Sequence, residues 1–223
     1  MMRLRLFSPP AHHPAPIASG GLVLRFPTGD DYAQWRRLRS ESTGFLTPWE
    51  PRWPADDLTR AGYRRRLARY QSEAAAGTGY TYFLFSAGGE LLGGLSLSNL
   101  RMGAARSGSL GYWMGQKHAG HGHMKRAVAM ILPQAFGAMA LERVEAGCIP
   151  DNARSVRLLE GLGFKREGLM RGYLEIDGRR RDHLLYAMLR EDFEQLWPAG
   201  AGSGAWAAGD GAAARVRPTA PTR

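Results

Sequence analysis

The chain has 223 residues, 44% of them hydrophobic and 22% charged, with a formal net charge of +10. That suits one globular domain able to bury a core without staples, with some excess at the ends. A single cysteine, Cys148, excludes an internal disulfide and fits a reduced, cytoplasmic setting.

Residues 1–19 carry Pro9, Pro10, Pro14 and Pro16 and read as flexible. Leu22 to Phe26 alternates and is β-rich, a strand. Thr28 to Asp31 offers capping residues for a helix running to Ser40. Phe45 to Pro51 is too broken by proline for either element. A helix is expected from Asp56 to Ala76. Tyr80–Ser86 and Leu91–Asn99 form strands around the turn Ala87 to Glu90, and Arg106–Met114 forms another. Gly120–Met139 reads as a long helix with Val128, Ile131, Leu132, Ala135 and Phe136 on one side. Arg143–Ile149 is a strand, and Asn152–Leu162 a helix closed by Gly163. Phe164–Tyr173 and His183–Leu189 pair around Asp177-Gly178. The stretch 198–223, rich in Ala, Gly and Pro, reads as a disordered tail, which leaves a core over 20–197. The order β-α-α-β-β-β-α-β-α-β-β predicts an α/β (α+β) fold, a mixed sheet with helices on its faces.

Arginines crowd Arg60 to Arg69 and recur at Arg179, Arg180 and Arg181. No zinc spacing, RNA-binding signature or helix-turn-helix pattern accompanies them, so dedicated nucleic-acid binding is not expected. No apolar run approaches the roughly 20 residues of a membrane span. The N-terminal stretch lacks the apolar block of a secretory signal, and a soluble protein is expected.

Two constellations carry chemistry. The first is a strand, then Lys117-His118-Ala119-Gly120-His121-Gly122, then a helix. The first amides of a helix lack internal partners and, with the helix dipole, favour an anion. Two glycines let backbone approach a phosphate, and Lys117 adds charge. A flexible strand-to-helix turn would look the same. Lys125 stands where a dinucleotide fingerprint needs its third glycine, and no P-loop is present. The second constellation is Asn152-x-x-Ser155 followed by Gly161-Leu162-Gly163-Phe164. Asn152 and Ser155 share the first turn of a helix, either as a plain cap or aimed at a cleft.

Together these two spaced motifs resemble the GNAT acetyltransferases over about Gly20 to Asp192. Thr47-Pro48-Trp49-Glu50-Pro51, Gly172 to Gly178 and Arg181-Asp182-His183 are similar to the RimJ/RimL branch, which acetylates protein N-termini, notably of ribosomal proteins. Lys117 departs from the Gln or Arg usual at the first loop position; it keeps charge but loses a planar fork. The resemblance implies a mostly antiparallel sheet of about seven strands, with Gly111–Gly115 splayed from Arg143–Ile149. It implies acetyl-CoA as donor, held by the loop from Lys117 to Gly122, with pantetheine in the gap. It further implies that Tyr112, Trp113 and Met114 offer backbone to the thioester, that Asn152 holds the arm, and that Ser155 protonates the departing thiolate.

The acceptor amine must be neutral to attack. An α-amine titrating near 8 is about a tenth neutral at pH 7, whereas a lysine is under a thousandth, a gap of about 3 kcal/mol. An α-amine therefore needs only a weak base: Glu50, Glu175, Tyr173 or ordered water. His118, His121 and His123 are read as solvated or phosphate-facing imidazoles, with no metal. Cys148 reads as core. Asp182 and His183 lack a Gly-x-Ser-x-Gly elbow and are expected to be structural. The expected activity is direct transfer, through a tetrahedral intermediate, to the N-terminal amine of a protein, with a ribosomal protein bearing an Ala or Ser terminus as the expected acceptor. A small-molecule amine as acceptor, or a ribosome-associated module that only binds coenzyme A, are the alternatives.

Overall fold

The computed structural model describes residues 14–198; the expectations for 1–13 and 199–223 lie outside them. Eight strands form one sheet in the order β1-β2-β3-β4-β5-β6-β8-β7. They are β1 (Ile17–Ser19), β2 (Leu22–Arg25), β3 (Tyr80–Ser86), β4 (Leu91–Arg101), β5 (Ser107–Met114), β6 (Arg143–Cys148), β7 (Lys165–Ile176) and β8 (Arg179–Leu189). The helices are α1 (Tyr32–Glu41), α2 (Thr43–Leu46), α3 (Arg60–Ala75), α4 (His123–Phe136), α5 (Ala153–Glu160) and α6 (Arg190–Leu196). Every strand pair is antiparallel except β5 with β6.

Alternation along the strands serves two cores. Tyr82 and Leu84 of β3 face one way, onto Val128, Ile131, Leu132 and Phe136 of α4. Phe83 and Phe85 face the other way, onto Trp35 and Leu38 of α1 and Tyr63 of α3. Ile131 and Leu132 are fully buried, each worth about 1.5–3 kcal/mol relative to exposure.

Several boundaries differ from the sequence reading. Ile17–Ser19, expected to be flexible, pairs with β2 and brings the strand count to eight. The stretch expected to be irregular makes α2 and a 3-10 turn at Thr47–Trp49. Pro48 stands at the start of that turn, where no N–H is needed. Helix α3 begins at Arg60, not Asp56, because Thr59 is the cap and accepts from the Gly62 amide at 3.1 Å. Asp57 binds Arg66 instead, at 2.5 Å.

Helix α4 starts at His123 because Gly120 and Gly122 hold φ of +85° and +72°. β7 and β8 run on to a two-residue turn, Asp177 (φ +46°) and Gly178 (φ +77°), a geometry that suits a tight hairpin. Helix α6 was not foreseen. The Asp192 carboxylate accepts the Leu189 amide at 3.1 Å to cap it, and Phe193 stacks on Phe136 at 5.1 Å.

One irregularity of the sheet creates a site. β5 and β6 pair only at Ser107–Arg143, Gly108–Val144 and Ser109–Glu145. Beyond that point Leu110–Met114 keeps its antiparallel pairing to β4, while Ala146–Cys148 pairs with β8. The two strands splay, and their facing backbone groups are left without a sheet partner.

Candidate active site

The splay opens into a cavity of about 580 Å³. Because neighbouring residues on a strand face opposite ways, the cavity communicates with both faces of the sheet. On the α4–α5 face it is lined by Tyr112 and Met114 of β5, Cys148 of β6, the loop at His118–Gly120 and Gly122, and Asn152 and Ser155. On the α1 face it is lined by Trp113, Gly147 and His183, with Phe45, Trp49 and Glu50 from the α2 segment and Leu174 and Ile176 from β7.

The α4–α5 side is largely backbone. Gly122 caps α4 from a left-handed conformation, and no side chain bonds to the first helical amides. A Cβ at Gly120 or Gly122 would meet nothing within 4 Å, so conformation and not space demands glycine there. Amides and helix dipole are thus presented to an anion. Lys125, in the first turn of the helix, lines the same cavity, as do Arg154 and Arg157 of α5.

Lys117 sits elsewhere. Its Nζ lies 2.7 Å from Glu90 in the β3–β4 turn, and this contact holds the Glu90 carboxyl below its ordinary range. Lys117 and His121 do not line the cavity. Burial holds His118 and His123 below the usual imidazole range, so both stay neutral near pH 7.

At the seam of the splay, the Tyr112 hydroxyl and Ser155 Oγ lie 2.6 Å apart. Burial pushes the Tyr112 phenol far up, against the smaller effect of Ser155, and also raises the Cys148 thiol. Both therefore remain protonated at neutral pH. Asn152 Oδ1 accepts from the Ser155 amide at 3.1 Å, so Asn152 caps α5 while facing the cavity.

The α1 side is built of side chains. Arg39, 5% exposed, donates to both oxygens of Glu50 at 2.8 and 2.6 Å. The Trp53 indole donates to the same carboxylate at 2.7 Å. The Arg39 guanidinium lies 4.1 Å from the Trp53 ring and 5.1 Å from Trp113. The Glu50 carbonyl accepts from the Asp177 amide, which ties the α2 segment to the β7–β8 turn. Three donors thus occupy Glu50, the only acidic side chain among the described residues lining the cavity. Tyr173 stands at the rim, 42% exposed, edge-on to His183. Among the described residues no cluster of three or more His, Cys, Asp or Glu could hold a metal.

Sequence reasoning missed Lys125, Arg154, Arg157, Arg39 and Trp53. Lys125 was findable, since three residues past Gly122 places it in the first helical turn. Arg39 was not, because its partners come from the α2 segment and from β5.

A splayed sheet with an uncapped helix N-terminus at one mouth of its cavity and an aromatic wall at the other suits an enzyme that joins an anionic carrier to an acceptor. The chain matches the acetyltransferase (GNAT) domain over residues 21–165 and belongs to that family. It is 35% identical to the probable N-acetyltransferase YjcK of Bacillus subtilis over 159 residues, 71% of this chain and 88% of that one. It is 32% identical to the ribosomal protein uS5-alanine N-acetyltransferase of Escherichia coli, covering 79% of this chain and 92% of the relative. Mycobacterium smegmatis RimJ, solved with a CoA-disulfide, superposes with a TM-score of 0.73 at 31% identity, covering 82% and 93%. The protein is therefore a RimJ-type N-acetyltransferase whose donor is acetyl-CoA. The uncapped loop, Lys125 and Arg157 suit that donor's phosphates.

Proposed function

We propose that this enzyme acetylates the N-terminal α-amine of a protein, with a ribosomal protein bearing an Ala or Ser terminus as the natural acceptor. A cytoplasmic site of action goes with that acceptor. One observation carries the reading: the acceptor chamber holds no uncommitted carboxylate. Its single acid among the described residues, Glu50, is paired with Arg39, and the rest of that face, which includes Phe45, Trp49, Trp113, Gly147, Leu174, Ile176 and His183, carries no second carboxylate. Such a chamber suits one amine on a small apolar residue and disfavours a polyamine, whose further charges would go unpaired. The 32% identity to the uS5-alanine acetyltransferase over 92% of its length supports the same acceptor.

The residues divide the work as follows. The loop at Gly120–Gly122 and the start of α4 bind the pyrophosphate. Backbone N–H groups of Tyr112 and Met114, which alternation turns toward the splay while Trp113 pairs with β4, hold the pantetheine arm and polarise the thioester carbonyl. Asn152 fixes the first turn of α5 and so aims Ser155. The Ser155–Tyr112 pair returns a proton to the departing sulfur. Glu50 positions the chamber wall, and Tyr173 gates its rim.

The test is acetyl transfer from acetyl-CoA to peptides that begin with Ala or Ser, read by mass spectrometry. Modification at the N-terminus, absent when the peptide is N-terminally blocked, is expected. Acetylation of lysine side chains or small amines in preference to every such peptide overturns the proposal.

A further inference from the structure

We infer that His183 is the general base of the acetyl transfer, taking the proton from the acceptor ammonium at Nε2. The inference rests on amine acetylation as such, not on the identity of the amine. His183 lies on β8 next to Leu184, which packs into the α4 core; His183 therefore faces the acceptor side. It is 3% exposed and lines the cavity beside Gly147, whose missing Cβ leaves room there: a Cβ would lie 3.8 Å from the His183 ring and 3.6 Å from Tyr173.

The tautomer follows from one contact. Nδ1 is 3.0 Å from the Arg181 carbonyl, which can only accept, so Nδ1 carries the hydrogen. In the neutral ring Nε2 is then a bare lone pair. Among the described residues no side chain or backbone group forms a hydrogen bond with it. The ring is held in orientation by a backbone carbonyl, as general-base imidazoles require.

The other ionisable groups around the chamber are committed elsewhere. Glu50, from the α2 segment, is bound by Arg39 and Trp53. Asp182 accepts the Gly172 amide at 2.7 Å, and Arg181 reaches Asp151 at 3.3 Å. Tyr173, from β7, meets the imidazole only through its ring, 5.4 Å between centroids. Cys148, from β6, turns to the opposite face, where burial keeps it a thiol. Arg154, from α5, lies over the Phe45 ring.

The step balances. The acceptor arrives as an ammonium and gives one proton to Nε2, which passes it to solvent. Its freed lone pair adds to the thioester carbonyl to form the C–N bond, and the C–S bond then breaks with its electron pair going to sulfur. A second proton leaves nitrogen as the amide forms and, through solvent, replaces the one that the Ser155–Tyr112 pair gives to the sulfur. Amide, free thiol and one proton result.

The test compares His183→Asn, which can still donate to the Arg181 carbonyl, and His183→Gln with the parent. It uses whichever amine turns over in a panel of Ala and Ser peptides and small amines. Both variants should lose about 10²–10⁴-fold in kcat/KM and keep their acetyl-CoA Kd. A folded variant within about fivefold of the parent overturns the assignment. If only small amines turn over, the α-amine reading fails while His183 is still tested on them. Should neither variant fold, or no amine of the panel react, histidine ¹⁵N spectra of the intact protein decide. A neutral His183 protonated at Nδ1, with Nε2 bare, is expected. An Nε2–H tautomer refutes the base.

Discussion

On the α4–α5 face the cavity is made of backbone: splayed strand amides, two left-handed glycines and a helix start with no side-chain cap. On the α1 face it is made of side chains: Arg39, Glu50 and Trp53 locked together, Trp113 beneath them, and His183 across the gap. In the proposed division of work, backbone meets what never changes, a phosphate and a pantetheine amide. Side chains recognise what differs from one acceptor to another. The two halves should therefore fail in different ways.

The largest expected effect lies in the acceptor half. Glu50→Ala leaves the Arg39 guanidinium buried without its carboxylate. Breaking a buried pair costs about 3–5 kcal/mol; the 21% exposure of Glu50 places this case near the lower end, about 3 kcal/mol. At roughly 2–4 °C per kcal/mol for a domain this size, the Tm should fall by about 6–12 °C. Acetyl-CoA binding by calorimetry should be unchanged in the folded fraction. A weakened Kd alongside an unchanged Tm would mean that the halves are not separate.

The converse break is Gly122→Val. No atom lies in the way of its Cβ, so only the φ of +72° opposes it. A β-branched residue held there costs about 1–3 kcal/mol, or roughly 5- to 150-fold in acetyl-CoA Kd if the loop must keep that shape to bind. The KM for the acceptor should not move. An acceptor KM that rises as much as the donor Kd falsifies the division.

The Tyr112–Ser155 contact joins the halves. Ser155→Ala alone leaves the Tyr112 hydroxyl without its partner, a loss of about 1–3 kcal/mol, and Tyr112→Phe alone leaves Ser155 only the Cys148 thiol, a smaller loss. The double variant should cost less than the sum of the singles, because both groups then go together. Additive losses, read by denaturant melts, would show that the 2.6 Å contact does not stabilise the fold.

The same division explains what the sequence made legible. Strand alternation at Tyr80–Ser86 and the apolar stripe of α4 report burial directly, because one period serves one face. The glycine loop is legible because its chemistry is local, six residues in a row. β1 and α6 escaped because three residues, or seven, carry too little periodicity, and pairing with β2 or stacking on Phe136 decides them. The Arg39–Glu50–Trp53 cluster escaped for a different reason. Its members lie 11 and 3 residues apart with no periodicity, and their meaning arises only when α1 packs against the α2 segment and β5. His183 beside Asp182 reads as structural until the Arg181 carbonyl fixes its tautomer.

The smallest expected effect concerns protons at the donor mouth. Burial lowers both His118 and His123; Lys117 and His121 add to it for the first, against Glu90, and Arg126, His121 and His118 for the second. The unfolded chain takes up protons from about pH 6.5 downward, before these folded imidazoles do. Free protein should accordingly lose stability as pH falls from about 6.5 toward the lowered folded values. A phosphate on the loop has the opposite sign, since it favours the imidazolium. Acetyl-CoA should then bind with uptake of a fraction of a proton near pH 6, and the acid loss of stability should be smaller in the complex. Calorimetry in two buffers of different ionisation enthalpy measures the uptake, and His118→Asn with His123→Asn should abolish it. Proton release, or uptake that survives both substitutions, would place the phosphates away from these rings and leave the α4 amides as the whole of the anion site.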